Sequence, residues 1–169
     1  MPATYEKIAT TTVSGSATNQ VQINSIPSTY TDLRVVIIGT STVSGYDCWM
    51  RFNSDTSTNY SYTYLSGQGT GASSARATAA DKINLSVAQG SFDSTNPVLL
   101  TADIFSYAGS TNKTTLSTKS ADLNGSGATG VAVYLWRNTA AITSLTFNSE
   151  TGGTFKVGST FTVYGILKA

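Results

Sequence analysis

RFNSDTSTNYSYTYL, running from Arg51 to Leu65, is the stretch whose reading decides the fold. It begins by closing an apolar segment, Cys48, Trp49, Met50, Arg51 and Phe52, that reads as a strand. Asn53, Ser54, Asp55 and Thr56 then supply turn chemistry, because Asn and Asp side chains bond their own backbone two residues on. Tyr60, Tyr62 and Tyr64 follow at alternate positions, with Ser61 and Thr63 between them. Side chains two apart on a strand share a face, so the tyrosines line one side and the small hydroxyls the other. The stretch therefore predicts strand, turn and aromatic-faced strand, and it holds no catalytic apparatus.

The same grammar repeats outward in both directions. Tyr5 to Val13 is Thr-rich and extended, so residues 1–13 predict an N-terminal arm or an edge strand. Val21, Ile23 and Ile26 alternate with Gln22 and Asn24 up to Pro27, as in a half-buried strand. Leu33 to Ile38, LRVVII, is continuous and β-branched, which predicts a central strand buried on both faces. Ser66 to Ala80, SGQGTGASSARATAA, predicts the longest loop. Within Lys82 to Ala88, Ile83, Leu85 and Val87 alternate inward, and a turn cluster at Gln89 to Pro97 leads to a strand over Val98 to Phe105. Lys113 to Ala121 is polar and Thr-rich, as edge strands are. Past a turn at Asn124 to Gly127, Val131, Val133 and Leu135 alternate with Ala132, Tyr134 and Trp136. Ile142 to Asn148 and Thr160 to Leu167 close the chain. About ten short strands, with no internal repeat and no linker, predict an all-β, single-domain antiparallel β-sandwich over residues 1–169, jelly-roll-like in layout.

Composition narrows the function. The chain has 169 residues, enough to bury a proper core. Charged residues make up 11%, less than half the usual share of about 25%. Polarity comes instead from Ser and Thr, roughly 30% of the chain, which suit turns and half-buried pleated surfaces. Ten basic and nine acidic residues are scattered singly for a net charge of +1, so no basic stripe offers a grip on phosphates and no nucleic-acid partner is expected. Low charge also suits a surface packed against other proteins, because interface cores are depleted in charge. The N-terminus lacks a basic region followed by an apolar one, and no apolar run is long enough to span a bilayer. Neither a secretory route nor a membrane partner is expected.

Chemistry is narrowed further by the absence of histidine, which rules out Ser-His-Asp and Cys-His catalysis and the common zinc sites. Seven Asp and two Glu sit singly beside turns, and no two are placed together for glycoside hydrolysis. The expectation is a non-enzyme without cofactor or metal. Cys48, the sole cysteine, reads as a small buried hydrophobe, since a catalytic thiol needs a neighbouring base. Asn53-x-Asp55-x-Ser57-x-Asn59 spaces oxygens as calcium loops do, but it lacks the loop glycine and carries Tyr64 where a bidentate Glu is needed. A turn held by Asn and Asp side chains accounts for the same residues. The stripe of Tyr60, Tyr62 and Tyr64, with Tyr46 and Trp49 nearby, admits three readings: core packing, a subunit interface, or a platform for stacking sugars. Matches to the glycosylation acceptor pattern at Asn59, Asn84, Asn112 and Asn124 arise by chance in a chain this rich in Ser and Thr.

Four segments carry a resemblance. They are Ile26-Pro27 with Tyr30-Thr31-Asp32-Leu33-Arg34; Arg51-Phe52-Asn53-x-Asp55 with Asn59-Tyr60-Ser61; Trp136-Arg137-Asn138-Thr139 with Ile142-Thr143-Ser144; and Phe155, Gly158-Ser159, Phe161 and Tyr164-Gly165-Ile166. In this order, and together with the N-terminal MPATYEKIAT, they resemble a family of small virion structural proteins of tailed bacteriophages, those of cyanobacteria and other aquatic bacteria among them. The resemblance covers nearly the whole chain. It implies a β-sandwich particle component, made in the host cytoplasm and residing in the virion, and it carries over no catalytic residues. The expected role is a capsid decoration (cement) protein bound to the major capsid protein, self-associating as a homo-oligomer, with a trimer expected. The alternative is a tail-fibre, tailspike or baseplate-associated module that touches the host surface or its glycans. Contacts are expected at Tyr5 and Lys7 of the N-terminal segment, at Tyr60, Tyr62 and Tyr64, and around Arg76.

Overall fold

The computed structural model describes residues 4–87, 92–123 and 126–167, which form twelve β-strands and no α-helix. The strands are β1 (Tyr5–Thr12), β2 (Gln20–Ile23), β3 (Asp32–Gly39), β4 (Cys48–Phe52), β5 (Tyr60–Gln68) and β6 (Gly71–Ala80). They continue as β7 (Ile83–Asn84), β8 (Val98–Phe105), β9 (Lys113–Leu123), β10 (Ser126–Trp136), β11 (Leu145–Ser149) and β12 (Thr160–Ile166). Two antiparallel sheets result, one ordered β1-β12-β3-β8-β9-β10-β5-β6 and the other β2-β11-β4-β7.

The strand pairs explain the topology. β1 pairs with β12, β2 with β11, β3 with β8 and β4 with β7, so the pairs nest like the rungs of one long hairpin. Rolling that hairpin brings β12 beside β3 and β11 beside β4, and successive rungs fall in opposite sheets. This is the jelly-roll arrangement of a β-sandwich. Two further hairpins are spliced into it. β5–β6 lies between β4 and β7 in the chain and β9–β10 between β8 and β11, and both add to the edge of the larger sheet. The larger sheet therefore extends four strands past the jelly-roll half that faces the smaller one.

Period-2 burial builds the core. Leu33, Val35 and Ile37 of β3, Leu100, Ala102 and Ile104 of β8, and Phe161 and Val163 of β12 point inward from the larger sheet. Val21 and Ile23, Met50 and Phe52, and Leu145 and Phe147 meet them from the smaller one. Facing sheets bury these alternate side chains against each other. Phe147, Phe161, Phe155 and Phe92 form a chain of ring contacts with centroids 4.9 to 5.5 Å apart.

Several local expectations change under tertiary packing. Residues 66–80, expected as a loop, are the end of β5, a turn at Gly69 with φ +56°, and all of β6. Ala and Ser carry little strand preference of their own, and here pairing along β5 decides the conformation. Lys113 to Ala121, expected at an edge, runs inside the sheet between β8 and β10. Ile83, Leu85 and Val87 are buried as expected, but the strand ends at Asn84 and Val87 takes a left-handed φ of +42°. β3 is central but buried on one face only, and Ile38 is 48% exposed. The N-terminal segment is an edge strand, with a bulge between Lys7 and Ala9 of the kind that blunts exposed edges. The end of the expected strand at Ala88 and the expected turn positions at Gln89 to Ser91 and at Asn124 and Gly125 lie outside the described residues.

Candidate functional site

The outer face of the eight-stranded sheet is built by register alone. Lys7 pairs with Tyr164, Tyr164 with Arg34, Arg34 with Asp103, and Asp103 with Leu116. Leu116 pairs with Val133, Val133 with Thr63, and Thr63 with Arg76. One row thus crosses all eight strands, spanning roughly 34 Å at the usual strand spacing. The neighbouring rows set Ile38 beside Leu99, Thr118 and Leu65 on either side of Val131, and Phe105 beside Thr114 and Leu135.

Much of this face is apolar and uncovered. Leu65 is 62% exposed and Val133 48%, and Ile38, Leu99, Phe105 and Val131 are also exposed. Arg34 and Asp103 neutralise each other across 3.6 Å in the middle of the row, which leaves Lys7 and Arg76 near its two ends. Between β9 and β6 the face hollows into a trough of about 700 Å³, where Leu65 and Val131 meet Ala72, Ser74 and Thr118.

Three of the expected contact residues lie on this face. Tyr5 and Lys7 sit at the β1 edge, where the Tyr5 ring meets Tyr164 edge-on at 6.5 Å, and Arg76 sits on the opposite edge strand. The other three point the opposite way. Tyr60 is fully buried, stacked on Trp136 at 6.3 Å, and its hydroxyl accepts the Phe52 N–H at 3.1 Å. Tyr60 is therefore a core residue and not a contact for a partner. Tyr62 and Tyr64 are half-buried and stacked on each other, and Tyr62 also packs on Tyr134. The cause is the register with β10, which aligns the stripe with Trp136, Tyr134 and Ala132 on the inner face.

The remaining polar side chains are committed to structure. Asp55 accepts hydrogen bonds from the Trp136 indole N–H at 2.8 Å, the Asn59 amide at 3.1 Å and the Ser57 N–H at 2.9 Å. Partial burial pushes its carboxyl up, but these donors outweigh burial and hold it below the usual carboxylate range. Asn53, at φ +50°, donates to Ala141 O and accepts the Thr143 and Ser144 N–H groups, tying the turn to the β11 approach. N–H donors occupy this loop where a cation would need oxygens. Burial pushes the Cys48 thiol up, away from the reactive thiolate. Inside the sheet, the buried Lys113 ammonium donates to Gly109 O at 2.6 Å, to Thr111 O, and to Thr139 O at 3.5 Å. Burial lowers the pKa of both Lys113 and Lys119. Among the described residues, no cluster of three metal-binding side chains occurs.

Sequence reasoning missed Leu65, Val131, Val133, Phe105, Ile38 and Leu99 as exposed residues. The signal was present in strands apolar on both faces, such as Leu33 to Ile38 and Val131 to Trp136. Such a strand is either covered twice or left with an apolar face in water, and periodicity does not distinguish the two. Comparison with family models, curated proteins and solved structures yields no match.

Proposed function

We propose that the protein is a structural component of a tailed-bacteriophage particle and acts by binding other virion proteins, as a decoration protein on the major capsid protein. The observation that carries this reading is the outer face of the eight-stranded sheet, apolar across several strands, with Arg34 and Asp103 paired in its middle. Exposed apolar surface costs about 25 cal/mol per Å² relative to burial, and contiguous patches of it mark interaction surfaces. The sequence resemblance supports the virion setting. Jelly rolls recur in viral capsid and lectin domains, an agreement of architecture that leaves function to the site. Edge strand β6 carries backbone groups that a neighbouring sheet can extend. Many copies, each adding modest binding, would stabilise a shell by mass action. Assembly into trimers belongs to the same proposal and is read by light scattering on purified protein.

Immunogold labelling of intact particles tests it. Gold spread over the head supports decoration of the capsid. Gold confined to the tail tip reassigns the protein to a tail-fibre, tailspike or baseplate module that meets the host surface. Particles that stay unlabelled both intact and opened refute the virion reading.

A further inference from the structure

The opposite side of the sandwich has a different chemistry. On the outer face of the smaller sheet, Gln20 pairs with Asn148, Asn148 with Trp49, and Trp49 with Asn84. Where this row meets the turn at residues 150–154, a groove of about 560 Å³ opens, with Trp49, Asn19, Asn148, Glu150 and Thr151 in its lining. That volume lies within the range of small-ligand sites.

The Trp49 wall is held in place. The Arg51 guanidinium lies 4.3 Å from the ring centroid and the Lys82 ammonium 5.4 Å from it. Arg51 is itself anchored, donating from Nε to Asp81 O at 3.0 Å and pairing with the Asp81 carboxylate. The glycine pair of the turn is pressed against Tyr46. A Cβ on Gly153 would stand 2.8 Å from the Tyr46 ring, and Gly152 adopts φ +99° with its Cβ position 2.8 Å from the Tyr46 hydroxyl. Larger residues there would fill the groove or displace Tyr46.

The polar groups around the wall have spare capacity. Asn148 Oδ1 accepts only a long 3.5 Å bond from Gln20, and its amide N–H groups hold no partner among the described residues. The Glu150 carboxylate accepts only a long 3.5 Å bond from the Asp47 N–H. The Asn19 and Thr151 side chains hold no hydrogen bond among the described residues.

We propose that this groove is a binding site for a neutral saccharide. A pyranose ring presents an apolar C–H face that packs on an indole, and its rim hydroxyls donate to a carboxylate while accepting from amide N–H groups. The lining supplies each of these complements: Trp49, Glu150, and the amides of Asn148 and Asn19. The charge pattern selects a neutral ligand. Arg51 and Lys82 lie over the Trp49 ring but both pair with Asp81, and Glu150 adds the second negative charge, so these groups balance and favour neither an anionic nor a cationic ligand. The site lies on the side of the sandwich opposite the face proposed to dock, so occupying one leaves the other free.

The test uses the purified full chain, a glycan array carrying neutral and anionic oligosaccharides, and fluorescence titration with the neutral glycans retained. Trp136 is 1% exposed with its N–H bonded to Asp55, so a saccharide-dependent fluorescence change reports Trp49. Expected are retention of neutral glycans, a saturable emission change, and about tenfold weaker binding in each of Asn148→Ala and Glu150→Gln with melting temperature unchanged. Both are surface changes of the kind that leave stability nearly intact. Retention of no glycan, retention of anionic glycans alone, or undiminished binding by both variants overturns the proposal. Immunogold labelling is read independently, so failure here leaves the virion reading standing, and the reverse holds too.

Discussion

Replacing Lys113 by Met tests the least expected feature of the interior, a fully buried ammonium with backbone carbonyls and no carboxylate as partners. The Lys113 side chain ties the turn at Gly109 and Thr111 to the segment at Thr139, at the base of the β9–β10 hairpin. Each hydrogen bond to a charged group contributes about 1.5–3 kcal/mol, and the Thr139 contact, at 3.5 Å, is weaker than the one to Gly109 at 2.6 Å. Methionine keeps the volume and removes the cost of burying a cation, which offsets part of the loss. A net destabilisation of about 3 kcal/mol is expected, because carbonyls left in the interior without a donor forfeit their solvation. For a chain of this size that corresponds to a fall in Tm of roughly 6–12 °C. The assay is urea unfolding followed by Trp fluorescence, with the midpoint shifted and the slope unchanged. Met at position 113 leaving the midpoint in place, or raising it as apolar replacement of buried ion pairs sometimes does, would refute the reasoning. It would mean that the carbonyls turn to water and that the ammonium holds nothing together.

Three further outcomes follow from other parts of the molecule. Gly165→Ala should cost about 2 kcal/mol by overpacking, because a Cβ there would fall 2.2 Å from the Tyr30 ring; thermal melts of this variant and of Gly165→Ala/Tyr30→Ala check it, the double change costing less than the sum of the singles. Acid should weaken the fold: against the upward push of burial, hydrogen bonds hold Asp55 below the usual carboxylate range and the Arg51 hydrogen bond with the Lys82 and Arg51 charges holds Asp81 there, while backbone N–H groups of Asn96 and Thr95 do the same for Asp93. A carboxylate depressed in the folded state contributes stability above its unfolded pKa of about 3.9 and loses it as pH falls through the folded value, so urea midpoints should drop below about pH 4 and Asp55→Asn should flatten the drop. Val133→Glu, on the outer face of the larger sheet, should leave Tm almost unchanged yet abolish co-sedimentation with particles stripped of this protein; retained binding would remove that face from the proposed interface.

Fold class was legible in the chain because it depends on local properties. Alternation at Val21 and Ile23, the turn chemistry of Asn53 to Asp55, and the scarcity of helix-favouring residues all act over a few residues. The three-tyrosine stripe was correctly read as one face of a strand, and core packing was among its expected fates. What sequence periodicity leaves open is which of two faces is covered, since that depends on whether another sheet lies above it. In β10 both alternating sets are apolar. Ala132, Tyr134 and Trp136 are buried while Val131 and Val133 meet solvent, because the smaller sheet and its flanking loops lie on one side only. Segment 113–121 looked like an edge because it is polar, yet β8 and β10 pair with it on both sides, and the loop carbonyls of Gly109, Thr111 and Thr139 satisfy its buried lysine. The chain by itself determined strands, turns and an all-β sandwich, all governed by neighbours in sequence. Only the tertiary structure decided the uncovered face, the interior lysine and the Trp49 groove, because each joins residues whose proximity comes from sheet register.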